Sequence, residues 1–89
     1  MSGDTLTELR ARLACLAAER IELTDESHLH AGHAGAQGGG GHYRLTIVAE
    51  IFRGKNTLAR HRLVYDAVGN LMQGPVHALA IRALTPEEA

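Results

Sequence analysis

Histidines supply the chemistry of this 89-residue chain, and three of its six lie close together. His28, His30 and His33 are followed by four consecutive glycines that end at Gly41. Neutral imidazole is the commonest protein ligand for metals, so the segment is a candidate metal-binding site. Glycine at this density disfavours both helix and strand, and loops of this length are usually functional or disordered. We therefore expect residues 26–41 to form a flexible surface loop, poorly ordered in the isolated chain.

The loop histidines are compatible with more than one kind of site. Alone, they would form an open zinc or nickel site, for which only Asp25 and Glu26 are close enough in sequence to add ligands. His77 lies in a predicted strand, where on pattern alone a histidine is equally typical of a residue without a role.

The remaining histidines and the single cysteine are weaker candidates. His61 is predicted to lie on the buried stripe of a helix, as a hydrogen-bonded structural residue, whereas His42 opens a strand at a solvated position. Cys15 lies off the apolar stripe of the first helix, so we interpret it as an incidental, partly exposed thiol. One cysteine can form neither an intramolecular disulfide nor a cysteine metal cage.

Length and composition describe one small globular domain. Eighty-nine residues suffice for a single core, and the formal charge is −1 with ordinary apolar content. No apolar run approaches the roughly 20 residues needed to span a bilayer. A lone thiol without a signal-peptide pattern predicts a cytoplasmic protein. We expect a single domain over residues 1–89, with a polar tail at 85–89.

The order of the elements follows from hydrophobic periodicity. Leucines three and four positions apart indicate an amphipathic helix, and alternation of polar and apolar residues indicates strands. We predict a helix over 4–18, strands over 20–24 and 42–50, a helix from Asn56 or Thr57 to about Leu71, and a strand over 76–84. A helix before the last strand makes the sheet mixed. The predicted fold is an α+β two-layer sandwich, a three-stranded sheet with helices on one face.

The same periodicity predicts which side chains face the core. The second strand should bury one alternating set, Tyr43, Leu45, Ile47 and Ala49. The second helix should bury the stripe Leu58, His61, Tyr65, Val68 and Met72. The last strand should place four residues on one face, His77, Leu79, Ile81 and Ala83.

The chain resembles the BolA family in a set of motifs that run in family order over residues 5–88. The motifs are DES at 25–27, HAGHAG at 30–35, FxG at 52–54, RHRLVY at 60–65, PVHALxI at 75–81 and TP at 85–86. Each motif is weak alone, but the set is specific. The resemblance implies a class II KH-like fold, which agrees with the predicted order of elements.

The resemblance also implies a partner and a cofactor. BolA proteins typically pair with monothiol, CGFS-type glutaredoxins, and the mixed dimer holds a 2Fe–2S cluster with thiolates from the glutaredoxin and from bound glutathione. Matched motif by motif, the ligands of this chain would be His77 and His30, with His33 as the alternative loop ligand. Alone, the chain would carry no cofactor and be a monomer or weak homodimer. Its role would be iron–sulfur cluster trafficking or iron and redox regulation.

Nucleic-acid binding is a second interpretation. Residues 42–62 carry five bases and one acid. KH-like folds clamp single strands with a Gly-x-x-Gly loop, of which this chain retains only Gly54. Bacterial members of the family are described as DNA-binding transcriptional regulators of stress response and cell morphology. Four basic residues are candidates for phosphate contacts, namely Arg53, Lys55, Arg60 and Arg62.

Catalysis is the function class with the least support. The sequence contains no Ser-His-Asp arrangement, no phosphate-cradling loop motif and no helix-spaced metal ligands of the His-Glu-x-x-His kind. We therefore expect a binding protein and not an enzyme.

Overall fold

The computed structural model describes residues 2–27 and 41–89, with the backbone alone at residues 2–4. Two α-helices and three strands make up this part of the chain. They are α1 (Ser2–Leu13), β1 (Arg20–Asp25), β2 (Gly41–Val48), α2 (Thr57–Val68) and β3 (Val76–Leu84). Short 3-10 helices follow α1 at Ala14–Leu16, β2 at Glu50–Phe52 and α2 at Gly69–Gln73. No helix in the described ranges combines the length and the apolar character needed to cross a membrane.

The sheet is mixed, as predicted. Its order is β1-β2-β3, with β2 in the centre. β1 pairs with β2 antiparallel, and β3 pairs with β2 parallel because α2 carries the chain back across the sheet. Buried residues of both helices join the inward side chains of β2 in one core, so both helices cover the same face. The α+β sandwich is thereby confirmed.

The first helix is shorter than its leucine periodicity indicates. Leu9, Leu13 and Leu16 are all buried, as the stripe predicts. The α-helix nevertheless ends at Leu13, and a 3-10 turn continues to Leu16. Ala17 adopts a left-handed conformation (φ 53°) and donates its N–H to the carbonyl of Ala14, which ends the helical segment. Periodicity counts apolar positions and cannot detect this change of backbone.

The buried stripe of α2 differs from the prediction. Asn56 caps the helix as expected, accepting the N–H of Ala59 at 2.9 Å. However, Leu58 is 60% exposed and Tyr65 is 41% exposed, whereas Val64 is fully buried. Apolar residues occupy two adjacent stripes of α2, and both satisfy helical spacing. Val68 is buried as predicted, and packing against the sheet buries Val64 beside it in place of Leu58 and Tyr65, a choice that periodicity alone could not make.

Candidate functional site

Two histidines lie side by side where β2 and β3 begin. Because these strands run parallel, their first residues meet at the same end of the sheet. His42 and His77 are the second residues of their strands, and their ring centroids are 5.2 Å apart with an interplanar angle of 50°. We call them the histidine pair. The sequence analysis placed His42 at a solvated position and did not predict this neighbour. The sequence feature that could have revealed the contact is a histidine at the second position of each of two parallel strands.

A β-bulge aims His77 away from the core. Gly41 pairs with Val76 and His42 pairs with Ala78, so His77 is the extra residue of β3. Bulges redirect side chains and are common beside functional sites. Leu79 is buried as predicted, but His77 is exposed. The prediction that these two share a core-facing side was wrong, because strict alternation does not allow for an inserted residue.

Main-chain hydrogen bonds fix the position of His42. Its N–H donates to Oγ of Ser27 at 3.0 Å, and its carbonyl accepts the N–H of Glu26 at 2.7 Å. The N–H of Ser27 donates in turn to Oδ1 of Asp25 at 2.9 Å. Through these hydrogen bonds the DES motif at 25–27 fixes the start of β2, the strand that carries His42.

Gly41 leaves room for the buried ring of Tyr43 in the same strand. It is buried and donates its N–H to the carbonyl of Pro75 at 2.7 Å. A Cβ at this position would lie 2.7 Å from Cζ and Oη of Tyr43, whose ring is buried in the core. Only a residue without a side chain fits there, so the last glycine of the predicted loop is a structural part of β2.

The predicted loop ligands lie outside the described residues. His30 and His33, with their neighbour His28, fall between Ser27 and Gly41, as does most of the segment expected to be flexible. Ser27 and Gly41, the residues on either side of this segment, both adjoin His42. The Ser27 hydroxyl accepts the N–H of His42, and Gly41 precedes His42 in the chain. The segment therefore leaves and rejoins the described part of the chain beside the histidine pair.

The donor set of the histidine pair suits a shared metal centre. In residues 5–27 and 41–89, no group of three or more His, Cys, Asp or Glu side chains is placed to hold a metal ion. The pair offers two imidazoles, and His77 is open to an approaching molecule. Cys15 is exposed on the 3-10 turn after α1 and belongs to another part of the fold.

The four basic candidates for phosphate contacts divide into two kinds. Arg53 binds Glu50 and also Glu87, and Arg60 binds Glu88 at 2.6 Å. The carboxylates carry lowered pKa values because these guanidiniums donate hydrogen bonds to them.

The other two candidates are free of such partners. Lys55 and Arg62 are exposed and form no ion pair within the described ranges. The sequence could not show that the acidic residues of the tail neutralise two of the four basic residues.

Acid should weaken the folded state through Glu88. Hydrogen bonds from the Arg60 guanidinium and the Thr85 amide lower the pKa of this carboxyl from 4.5 to about 2. A carboxyl whose pKa is lower in the folded state stabilises that state above the unfolded-state pKa, and the contribution disappears as the pH falls toward the folded-state value. Urea-unfolding free energies of the wild type and of Glu88→Gln should therefore differ at neutral pH and converge between pH 4.5 and 2. A difference that did not change with pH would contradict the ion pair.

Comparison with known proteins identifies the family. The family model for BolA-like protein matches residues 13–88. Mouse BolA-like protein 1 is 42% identical over 88 residues, which covers 98% of this chain and 62% of that protein. The DNA-binding transcriptional regulator BolA of Escherichia coli (strain K12) is 34% identical over 68 residues, or 76% of this chain and 62% of its own length.

Solved structures agree with these matches. The BolA domain of SufE1 from Arabidopsis thaliana superposes with a TM-score of 0.81 at 38% identity, and the match covers 93% of each chain. The present chain spans about 60% of the length of the curated BolA-like protein 1 relatives that it matches. Family model, relatives and fold coincide over most of the sequence, so the chain belongs to the BolA-like family.

Proposed function

We propose that this chain is the BolA-type partner of a monothiol, CGFS-type glutaredoxin and co-ligates a 2Fe–2S cluster with it. The observation that carries the proposal is His77, exposed as the extra residue of a bulge at the end of the sheet where the histidine-rich segment leaves and rejoins the described part of the chain. The resemblance to BolA proteins, which typically pair with such glutaredoxins, supports the choice of partner. The function is non-catalytic, in cluster trafficking or in iron and redox regulation.

The chemistry of imidazole supports a shared cluster in preference to an independent one. Neutral nitrogen donors leave a 2Fe–2S cluster less negative than thiolates do and raise its reduction potential. A 2Fe–2S cluster needs four ligands, and thiolates bind its iron more firmly than imidazoles do. A partner that supplies thiolates, from its own cysteine and from glutathione, completes the set.

His77 is the first ligand that we assign, because it is exposed and forms the extra residue of the bulge. The second ligand is a loop histidine, His30 or alternatively His33, from the segment that leaves and rejoins the fold beside the pair. His42 is close enough to His77 to compete for this role, so ligand assignment must test it as well.

Reconstitution of the mixed complex tests the proposal. The chain would be combined anaerobically with a monothiol glutaredoxin, glutathione, iron and sulfide, then separated by size and examined by visible absorption and circular dichroism. We expect a coloured mixed dimer whose spectrum differs from that of the glutaredoxin treated alone, and a colourless isolated chain. A stable 2Fe–2S cluster on the isolated chain, or a mixture with the glutaredoxin spectrum unchanged, would refute the shared site.

Nucleic-acid binding is a second candidate function. It is supported by Lys55 and Arg62, which are exposed and form no ion pair with other described residues, and by the name of the Escherichia coli relative as a DNA-binding regulator. Arg53 and Arg60 contribute less because glutamates of the same chain neutralise them.

A double substitution, Lys55→Ala with Arg62→Ala, should weaken binding to DNA and reduce the slope of log affinity against log salt by about 1 to 2, since each phosphate contact contributes about 0.9. Fluorescence anisotropy at several salt concentrations measures that slope, with Arg53→Ala as the control that changes it little. No salt-dependent binding at low salt would remove this candidate.

A further inference from the structure

The face of the sheet that the helices do not cover carries three arginines. Strand side chains alternate between the two faces of a sheet, and we call the face opposite the helices the open face. Its members are Arg20, Glu22 and Thr24 of β1, His42, Arg44, Thr46 and Val48 of β2, and Ala78, Ala80, Arg82 and Leu84 of β3. None of them belongs to the core that both helices cover. Arg44, Ala80 and Arg82 are exposed at its centre, so this part of the sheet is accessible to another molecule.

A shallow depression of about 170 Å³ occupies the centre of the open face. Arg44 lines it from β2 and Arg82 lines it from β3, together with the small side chains of Thr46 and Ala80. In the strand register Arg44 pairs with Ala80 and Thr46 pairs with Arg82, so the two arginines stand at diagonal positions. Long charged side chains beside short ones leave room for a side chain of another molecule to reach both guanidiniums.

The arginines of the open face are only weakly engaged within the chain. Arg82 forms no ion pair with the described residues, and the segment 28–40 contains no acid. Arg44 contacts Glu26 at 3.0 Å and Arg20 contacts Glu22 at 3.5 Å, and both arginine side chains are 63% exposed. Exposed ion pairs of this kind contribute little to stability. An incoming carboxylate can therefore replace them at small cost, and the open face favours an acidic partner.

The accessible part of the open face adjoins the histidine pair. Arg44 is two residues along β2 from His42, roughly 7 Å at strand geometry. Arg82 is four residues along β3 from Ala78, the strand partner of His42, or roughly 13 Å. A standard protein–protein interface covers about 800 Å² of each partner, which is wide enough to include both arginines. A protein that approaches this end of the sheet to complete a cluster at His77 would therefore meet them.

The composition of the open face favours a protein over a single-stranded nucleic acid. Sheets that bind single strands stack the bases on aromatic side chains. The open face contains no Phe, Tyr or Trp, and the ring of Tyr43 is buried on the other side of β2. Charge without stacking surfaces is better suited to carboxylates of a folded partner.

We propose that the open face is the docking surface for the protein that shares the cluster, and that Arg44 and Arg82 bind carboxylates of that partner beside its cluster-binding cysteine. The inference rests on the proposed function, which names a monothiol glutaredoxin as the partner. It adds the surface that recognises this partner and the acidic character of the partner's own surface. Since the arginines are not cluster ligands, this docking does not require iron.

Isothermal titration calorimetry of the full chain with a monothiol glutaredoxin, without iron and at several salt concentrations, tests the docking surface. Arg82→Glu should weaken association at least tenfold at low salt, and the difference should shrink as salt rises. Arg10→Glu is the matched control, because Arg10 is an exposed arginine of α1, in the opposite layer of the sandwich. It should change the affinity less than twofold. Thermal unfolding confirms that both variants are folded.

The cluster spectrum separates this proposal from the proposed function. Saturated with glutaredoxin and reconstituted, Arg82→Glu should show the wild-type spectrum, because every histidine remains. A coloured wild-type complex with equal affinities for Arg82→Glu and Arg10→Glu would overturn the docking surface and leave the shared cluster standing. Association that Arg82→Glu weakens, without any coloured complex, would support the docking surface and refute the cluster. No association of the wild type, or an Arg82→Glu variant that loses affinity for DNA but not for the glutaredoxin, would overturn the docking surface.

Discussion

Replacing His77 with alanine is expected to abolish the cluster spectrum of the mixed complex with a monothiol glutaredoxin. The side chain is exposed and lies at a bulge, so the fold should lose little when it is removed. The cluster, in contrast, loses a ligand that no neighbouring thiolate can replace, since the only cysteine of the chain is Cys15 on the turn after α1. Substitutions around metal ligands already cost about 10–100-fold in affinity, and loss of a ligand itself should cost no less.

Other histidines of the chain provide matched controls for this variant. His61→Ala, a half-buried helical position away from the histidine pair, should leave the spectrum unchanged. His33→Ala should disturb it less than His77→Ala does. The same visible absorption and circular dichroism as in the reconstitution apply, with thermal unfolding to confirm that each variant is folded. Unaltered spectra for both His77→Ala and His33→Ala would overturn the ligand assignment.

A comparison of His42→Ala with His30→Ala identifies the second ligand. If His30 is the ligand, its removal should change the spectrum strongly, and His42→Ala should change it weakly through the lost ring contact with His77. The opposite order would assign the second ligand to the histidine pair. Either order retains His77, because it is a ligand in both assignments.

The sequence predicted the sheet better than the helices, for a physical reason. In a strand, alternation of polar and apolar residues leaves only one choice of buried face. The buried residues Tyr43, Leu45 and Ile47 match that choice. A helix with apolar residues on two adjacent stripes can bury either stripe. For α2, the prediction chose the stripe with Leu58 and Tyr65, which are exposed.

The histidine pair depended on information that no single segment contains. The contact between His42 and His77 requires parallel pairing of β2 with β3 and an extra residue at the bulge. Neither feature leaves a local pattern in β3, whose residues read as ordinary alternation. The family motif drew attention to His77, but only the register revealed its neighbour.

Substitution of Phe52 by alanine should be among the most destabilising single changes to the fold. Phe52 is fully buried and is the last residue of the 3-10 helix that joins β2 to α2. Its carbonyl accepts the N–H of Lys55 at 3.1 Å, which ties the core to the turn before α2. Phe→Ala in a core costs about 3–5 kcal/mol. A small domain has about 5–15 kcal/mol in total, so this loss removes a large fraction of it.

Thermal and urea unfolding measure this loss and separate it from effects on the site. At about 4 °C or more per kcal/mol for a domain of this size, the melting temperature should fall by at least about 12 °C. Ile51→Ala, at the neighbouring position that is 41% exposed, should cost about 1 kcal/mol or less.

The effects of Phe52→Ala and His77→Ala should be opposite in kind. Below its melting temperature, Phe52→Ala should still give a mixed complex with a normal spectrum, because both histidines remain, whereas His77→Ala should melt normally and lose the spectrum. A Phe52→Ala variant as stable as Ile51→Ala would show that the core is not organised around this ring. A normal melting curve with an altered spectrum in Phe52→Ala would instead mean that the turn before α2 contributes directly to the binding of the partner.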